Sequence, residues 1–179
     1  MKEREQVRRR RDEFEEEVSE LSRKLRLGLI TLVAWQIAMK QAIKRYHTDC
    51  ALIAEKLATV NWTEVSERVK AQYQWLGGFA QDIADKVGEG WEPTTAIDAR
   101  ARLYGAAGLA TFFVVLGRLK KWVRWVTSGD AGVCDDCKTL ESLGWMLYED
   151  LPTHPGQGAT ICNGGCRCSL EYAHRIKEE

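Results

Sequence analysis

Five of the six cysteines fall between residues 134 and 168, and this crowding constrains the fold of the C-terminal third more than any other feature. From Ser128 to Tyr172, glycines and turn residues replace helical periodicity, and so short and loop-rich a segment needs a staple. Cys134-x-x-Cys137 is the spacing of a knuckle that offers two thiolates to one ion. Cys162-x-x-x-Cys166-x-Cys168 follows after 24 intervening residues, with His154 between the two clusters. The N-terminus is a charge run with no apolar stretch beside it, so no secretory leader is expected, and synthesis in a reducing cytosol favours metal ligands over disulfides. The expected group is a structural Zn2+ held by Cys134, Cys137, Cys166 and Cys168, with Cys162 or His154 able to replace one of the last pair. Four protein ligands leave no open position for water, hence a structural ion. Disulfides and an iron–sulfur cluster are the alternatives, although the spacing fits none of the ferredoxin patterns.

Upstream the pattern is helical. Residues 1–60 read as one long helix, charged first and then apolar. Phe14, Val18, Leu21, Leu25, Leu29 and Leu32 step by four and three, a coiled-coil-like seam suited to docking on other helices. Leu27 to Met39 carries no charge for thirteen residues, short of the roughly 18–20 that a membrane span needs, so a membrane partner is not expected. Asn61 and Glu64 have capping-box spacing at the start of a helix that runs to Val87, with Gly77-Gly78 expected to bend it. Pro93-Thr94-Thr95 opens another, with Thr95 and Asp98 in the same spacing and a stripe of Ile97, Tyr104, Gly108, Phe112, Val115, Leu119, Trp122 and Val126. Small residues at 105–110 let a neighbouring helix approach closely. With only three prolines, the chain is expected to be mainly α: long helices over 1–60 and 61–127, then a small zinc-stapled module over 128–179.

The 26 basic residues balance 26 acidic ones, which removes the simplest argument for nucleic-acid binding. Local charge leaves it open. Arg8, Arg9, Arg10 and Arg11 form a run on the first helix, and Arg118, Lys120, Lys121 and Arg124 cluster beside Trp122 and Trp125. Solvated helix faces and the helix dipole account for both in the simpler reading, and DNA phosphates are the alternative partner. Residues 95–127 sum to +5 and 128–179 to −5, so self-complementarity within one fold is expected, with two different partners as the alternative. Hydrolysis by Asp130, Asp135, Asp136 or His154 beside a metal is a further class. There is no HExxH, GxSxG, P-loop or H-x-E with P-C-x-x-C, so no enzyme is expected.

One combination of motifs is more specific. Trp125-Val126-Thr127-x-x-Asp130-x-x-x-Cys134-x-x-Cys137, then Leu151-Pro152-x-His154-Pro155, then Cys166-Arg167-Cys168 resembles the C-terminal signature of phage head morphogenesis proteins, the minor capsid proteins similar to the F protein of phage Mu. The likeness covers residues 95–172 at most. This chain departs from the simple form by the insertion GQGATICNGG, which carries Cys162 and separates His154 from the Cys-Arg-Cys pair. The resemblance implies a virion component present in few copies near the portal vertex and assembled in the host cytoplasm. Portal or capsid proteins, or further copies of the chain, would be its partners. Its role would lie in head assembly, DNA packaging or ejection.

Overall fold

The N-terminal helix does not run on into the apolar segment, and the reason is Gly28. In the computed structural model, which describes residues 2–55, 59–90, 92, 96–162 and 166–173, helix α1 spans Lys2–Arg26. Gly28 follows at φ +66, its N–H donating to Leu25 O and the N–H of Leu29 to Lys24 O. This paired closure of the last turn requires a left-handed residue, which glycine adopts without steric cost. The Thr31 hydroxyl then accepts from the Ala34 N–H and starts helix α2, Leu32–Ala54. The single helix expected over 1–60 is therefore a hairpin.

The hairpin uses the expected seam internally. Val7, Phe14, Val18 and Leu25 are buried, whereas Leu29, in the turn, is 64% exposed. Phe14 stacks on Tyr46 of α2 at 4.7 Å between ring centroids, and Arg10 reaches Asp49 at 2.8 Å. The Arg11–Glu15 pair forms at 2.7 Å as its spacing predicts.

Helix α3, Trp62–Gly88, begins where the spacing placed it, with Asn61 Oδ1 accepting from the Glu64 N–H. It is continuous through Gly77 and Gly78. Helix α4, Ala96–Lys120, packs antiparallel to α1, and Arg26 meets Asp98 at 3.1 Å. The cap expected at Pro93-Thr94-Thr95 lies outside the described residues. Gly108 admits the Tyr46 ring, since a Cβ there would fall among its ring atoms. Residues 97–120 are long and apolar enough to cross a membrane, but α1 and α2 take up much of their surface, and Phe112–Val115 are buried.

Helix α4 stops six residues before its expected end at Val126. Lys121 takes φ +66, and Trp122–Val126 is a strand, β1. Val123 and Trp125 are buried while Arg124 between them is exposed, the period of two that aromatic and β-branched residues support when strands are present to pair with. Those strands are β2 (Met146–Leu147) and β3 (Ser169–Ala173), both antiparallel to β1 in the order β2-β1-β3. Arg124 lies opposite Glu171 and bonds it at 2.8 Å. Between β1 and β2 lies helix α5, Asp135–Ser142. The module docks on α4 through the Tyr172 hydroxyl, which donates to Phe113 O at 3.0 Å, and through the Tyr148 ring packed on Gly117. The protein is thus mainly helical, with a small loop-rich C-terminal region, and a single cluster of buried residues runs from Val7 to Leu170.

One histidine belongs to this core. His47 is 1% exposed, its Nδ1 is 2.8 Å from Thr111 Oγ1, and burial next to the charge of Arg68 pulls its pKa down to about 4.

Two predictions follow from these contacts. Gly108→Ala should cost about 1–3 kcal/mol through overpacking on Tyr46, whereas Gly78→Ala, which meets nothing within 4 Å, should gain up to about 1 kcal/mol. Urea midpoints of the two variants distinguish these signs. Unfolded histidine takes its proton near 6.5 and folded His47 only near 4, so its contribution is complete above the first value and is lost as pH falls towards the second. The loss is on the order of 3 kcal/mol. It should be read as the difference between wild type and His47→Gln in urea melts at pH 7, 5.5 and 4.5.

Candidate metal centre

The sequence delivers the thiols from two directions. Cys134 is the N-cap of α5 and Cys137 lies in its first turn, so the helix turns both towards the same side. Cys166 and Cys168 sit on the approach to β3, where alternation along an extended chain keeps residues two apart on one face. Cys162 comes from the loop carrying the insertion. Cys137 is where they meet: it is fully buried, with its Sγ 3.6 Å from Cys162 Sγ and 3.7 Å from Cys166 Sγ. Cys134, Cys137 and Cys162 form one group with ligand atoms within 4.8 Å of one another, and Cys137, Cys166 and Cys168 form a second.

These separations fit a shared ion. Metal–sulfur bonds of about 2.3 Å at tetrahedral angles place two sulfurs about 3.8 Å apart. A disulfide needs about 2.05 Å, and none of the cysteines is so paired. Five clustered thiols can therefore hold a metal ion. Their environments differ. The backbone N–H of Cys137, across the first turn of α5, favours the thiolate of Cys134 and brings that thiol down to about 7. Burial pushes Cys137 well up and Cys166 up to about 12. A bound cation would oppose that cost, because it stabilises thiolates directly.

Polar contacts fix the frame around the thiols. Asp136 Oδ2 accepts from the Ile161 N–H at 2.8 Å and ties the Cys162 loop to α5. Asp130 accepts from the Gly132 N–H and from Arg167, the residue between Cys166 and Cys168, both at 2.8 Å. Those two bonds hold the Asp130 carboxyl below the usual range, the backbone one most. Glu141 accepts from the Thr127 N–H at 2.9 Å, joining α5 to the end of β1. Acidic residues inside a CxxC knuckle ordinarily just face water. That describes Asp135, but Asp136 is a structural acceptor, and nothing in a Cys-Asp-Asp-Cys string separates the two.

His154 is not among the converging groups. Its Nε2 is 2.8 Å from the Tyr148 hydroxyl, its Nδ1 is 3.2 Å from Gln157 Oε1, and its ring stacks on Phe113. It serves the docking of the module on α4, which leaves cysteines alone as clustered ligands among the described residues. Cys50, buried on α2, is also outside the cluster.

The basic residues do not form one surface. Arg9, Arg10 and Arg11 pair with Glu13, Asp49 and Glu15, and Arg8 is exposed. Arg118 meets Glu64 at 2.6 Å from the last turn of α4, where Lys120 also lies. Lys121 occupies the junction, and Arg124 on β1 lies over the Trp145 ring besides bonding Glu171. The expected face beside Trp122 and Trp125 is divided because the helix ends before it.

No family model matches the chain, and neither curated proteins nor solved structures give a match.

Asp136→Ala should free the Ile161 amide and loosen the Cys162 loop at a cost of about 1–2 kcal/mol. Amide hydrogen exchange at Ile161 should accelerate while exchange in α2 keeps its wild-type rate.

Proposed function

We propose that the chain is a non-enzymatic structural protein of a phage head, its C-terminal module held by a structural zinc ion. The observation that carries the metal half is the position of Cys137, a residue of the first cysteine pair whose Sγ lies within 3.7 Å of Cys162 and Cys166 of the second cluster, inside the hydrophobic core. Thiolate ligands suit zinc, and two groups of three thiols that share Cys137 offer enough ligands for a tetrahedral ion. Such an ion offers no site to a substrate and acts as a cross-link, its binding free energy becoming folding free energy.

The head role rests on the signature that runs from Trp125 to Cys168. Its parts have mutually supporting places here: Trp125 in the core, Asp130 bonded to Arg167, and His154 and Tyr148 at the junction with α4. A minor head protein works by binding other proteins, which suits a helical body stapled by a metal. Portal or capsid proteins are the partners proposed, in the virion and in proheads assembled in the host cytoplasm.

Protein purified under reducing conditions should carry one zinc per chain, and a strong chelator should lower the melting temperature of the module. Cys137→Ser should lose the ion. Single serine substitutions at Cys134, Cys162, Cys166 or Cys168 should be milder, because four thiols remain. Metal analysis with thermal melts decides this, and metal-free wild type with an unchanged melt would refute it. The head role is tested separately by co-sedimentation of the tagged chain with proheads and portal rings.

A further inference from the structure

A tetrahedral ion takes four sulfurs, and the cluster offers five. Four of them come as two pairs whose spacing the backbone sets. Cys134 and Cys137 share the start of α5, and Cys166 and Cys168 lie two apart on the approach to β3. Cys162 belongs to neither pair. It comes from the loop after Pro155, which lies at the surface, with Ile161 74% exposed. Cys162 is nevertheless held against the cluster. Asp136 Oδ2 accepts from the Ile161 N–H at 2.8 Å, the Thr160 hydroxyl is 3.3 Å from Cys162 Sγ, and that sulfur is 3.6 Å from Cys137 Sγ.

A surplus thiol in contact with a ligand has a chemical consequence. A disulfide needs about 2.05 Å, so a small shift of the Cys162 loop brings the two sulfurs into bonding range while α5 stays in place. Cys162 is part-exposed, whereas Cys137 is fully buried and Cys166 is 8% exposed, so a small oxidant in solution reaches Cys162 before either. Cys134 and Cys168 are also part-exposed, but as members of the two pairs their sulfurs are engaged in the zinc-loaded protein. Cys137 belongs to both groups of three thiols, so its loss breaks either set.

We propose that Cys162 is an oxidant-sensitive modification site: hydrogen peroxide oxidises it, and its disulfide with Cys137 releases the zinc. The proposal rests on the zinc centre proposed above. In the first step the Cys162 sulfur attacks one peroxide oxygen. The S–O bond forms, the O–O bond breaks, and the thiol proton leaves with the second oxygen as water. The Cys137 sulfur then attacks the Cys162 sulfur. The S–S bond forms, the S–O bond breaks, and hydroxide leaves with a solvent proton as a second water. One peroxide is reduced and two sulfurs are oxidised. Cys134, Cys166 and Cys168 remain, one short of a tetrahedral set. Exchange with an external thiol reverses the change.

Zinc-loaded full-length protein treated with hydrogen peroxide tests this, with zinc release followed by a chromogenic chelator and disulfides mapped by mass spectrometry of proteolytic fragments. Release is expected in step with a Cys137–Cys162 disulfide, and dithiothreitol should restore zinc binding. Cys162→Ser should keep its zinc on the two pairs and release it at least about tenfold more slowly in peroxide. The proposal is overturned if wild type keeps its zinc in peroxide, or if release proceeds without the Cys137–Cys162 disulfide. It is equally overturned if Cys162→Ser releases zinc as fast as wild type. Untreated Cys162→Ser without zinc would make Cys162 an obligatory ligand, which also overturns it. Untreated wild type without zinc would refute the metal centre itself and this proposal with it, a result distinct from a zinc-loaded protein that withstands peroxide.

Discussion

Cys137 occupies two environments at once. Its side chain is part of the continuous apolar core, together with Trp125 and Leu170, and its sulfur is the point on which the other clustered thiols converge. A thiol placed there without an ion resists ionisation, because burial penalises the charged form. With an ion present the same burial shields the cross-link from water and competing ligands. The loops of the C-terminal module are otherwise held by the β1–β3 ladder and by the carboxylates of Asp130, Asp136 and Glu141, since β2 is only two residues long and α5 spans eight. An ion held at this sulfur would add to the order of the module.

The helical body is stabilised in a more ordinary way. Helices α1, α2 and α4 share a core in which long side chains on one helix meet small ones on the next, Tyr46 against Gly108 and Phe14 beside Gly105. Because this packing consumes the heptad seam, that face is closed to other copies of the chain. The apolar residues left outside include Leu27, Leu29, Val33 and Ile37 at the tip of the hairpin.

Much of this was legible in the sequence, and the failures have physical causes. The Asn61 cap, the Arg11–Glu15 pair and the clustering of cysteines depend on local spacing, which a sequence displays directly. The hairpin at Gly28 was missed because Leu25, Leu29 and Leu32 keep helical period across it, while the signal that mattered was a glycine three residues before a capping threonine. The segment Trp122–Val126 satisfies both periods, since Trp122 and Val126 are four apart and Val123 and Trp125 two apart. Only its pairing with residues 169–173, over 40 positions away, decides between them, and no local pattern carries that information. His154 shows the same limit: its place between the cysteine clusters suggested a ligand, and packing against Phe113 and Tyr148 gave it another task.

The middle position of β1 has a consequence for how the molecule is made. The strand leaves the ribosome directly after α4, yet its longer partner, β3, is synthesised last among the described elements. Pairings so distant in sequence close late. The bundle can assemble around α4 while Val123, Trp125 and the CxxC thiols still await their covering strand. Through that interval the nascent chain exposes apolar side chains and nucleophilic sulfur together, a state open to aggregation and to oxidation. Early capture of a metal by Cys134 and Cys137 would shorten it, making the ion an assembly factor during synthesis as well as a fixture of the finished fold.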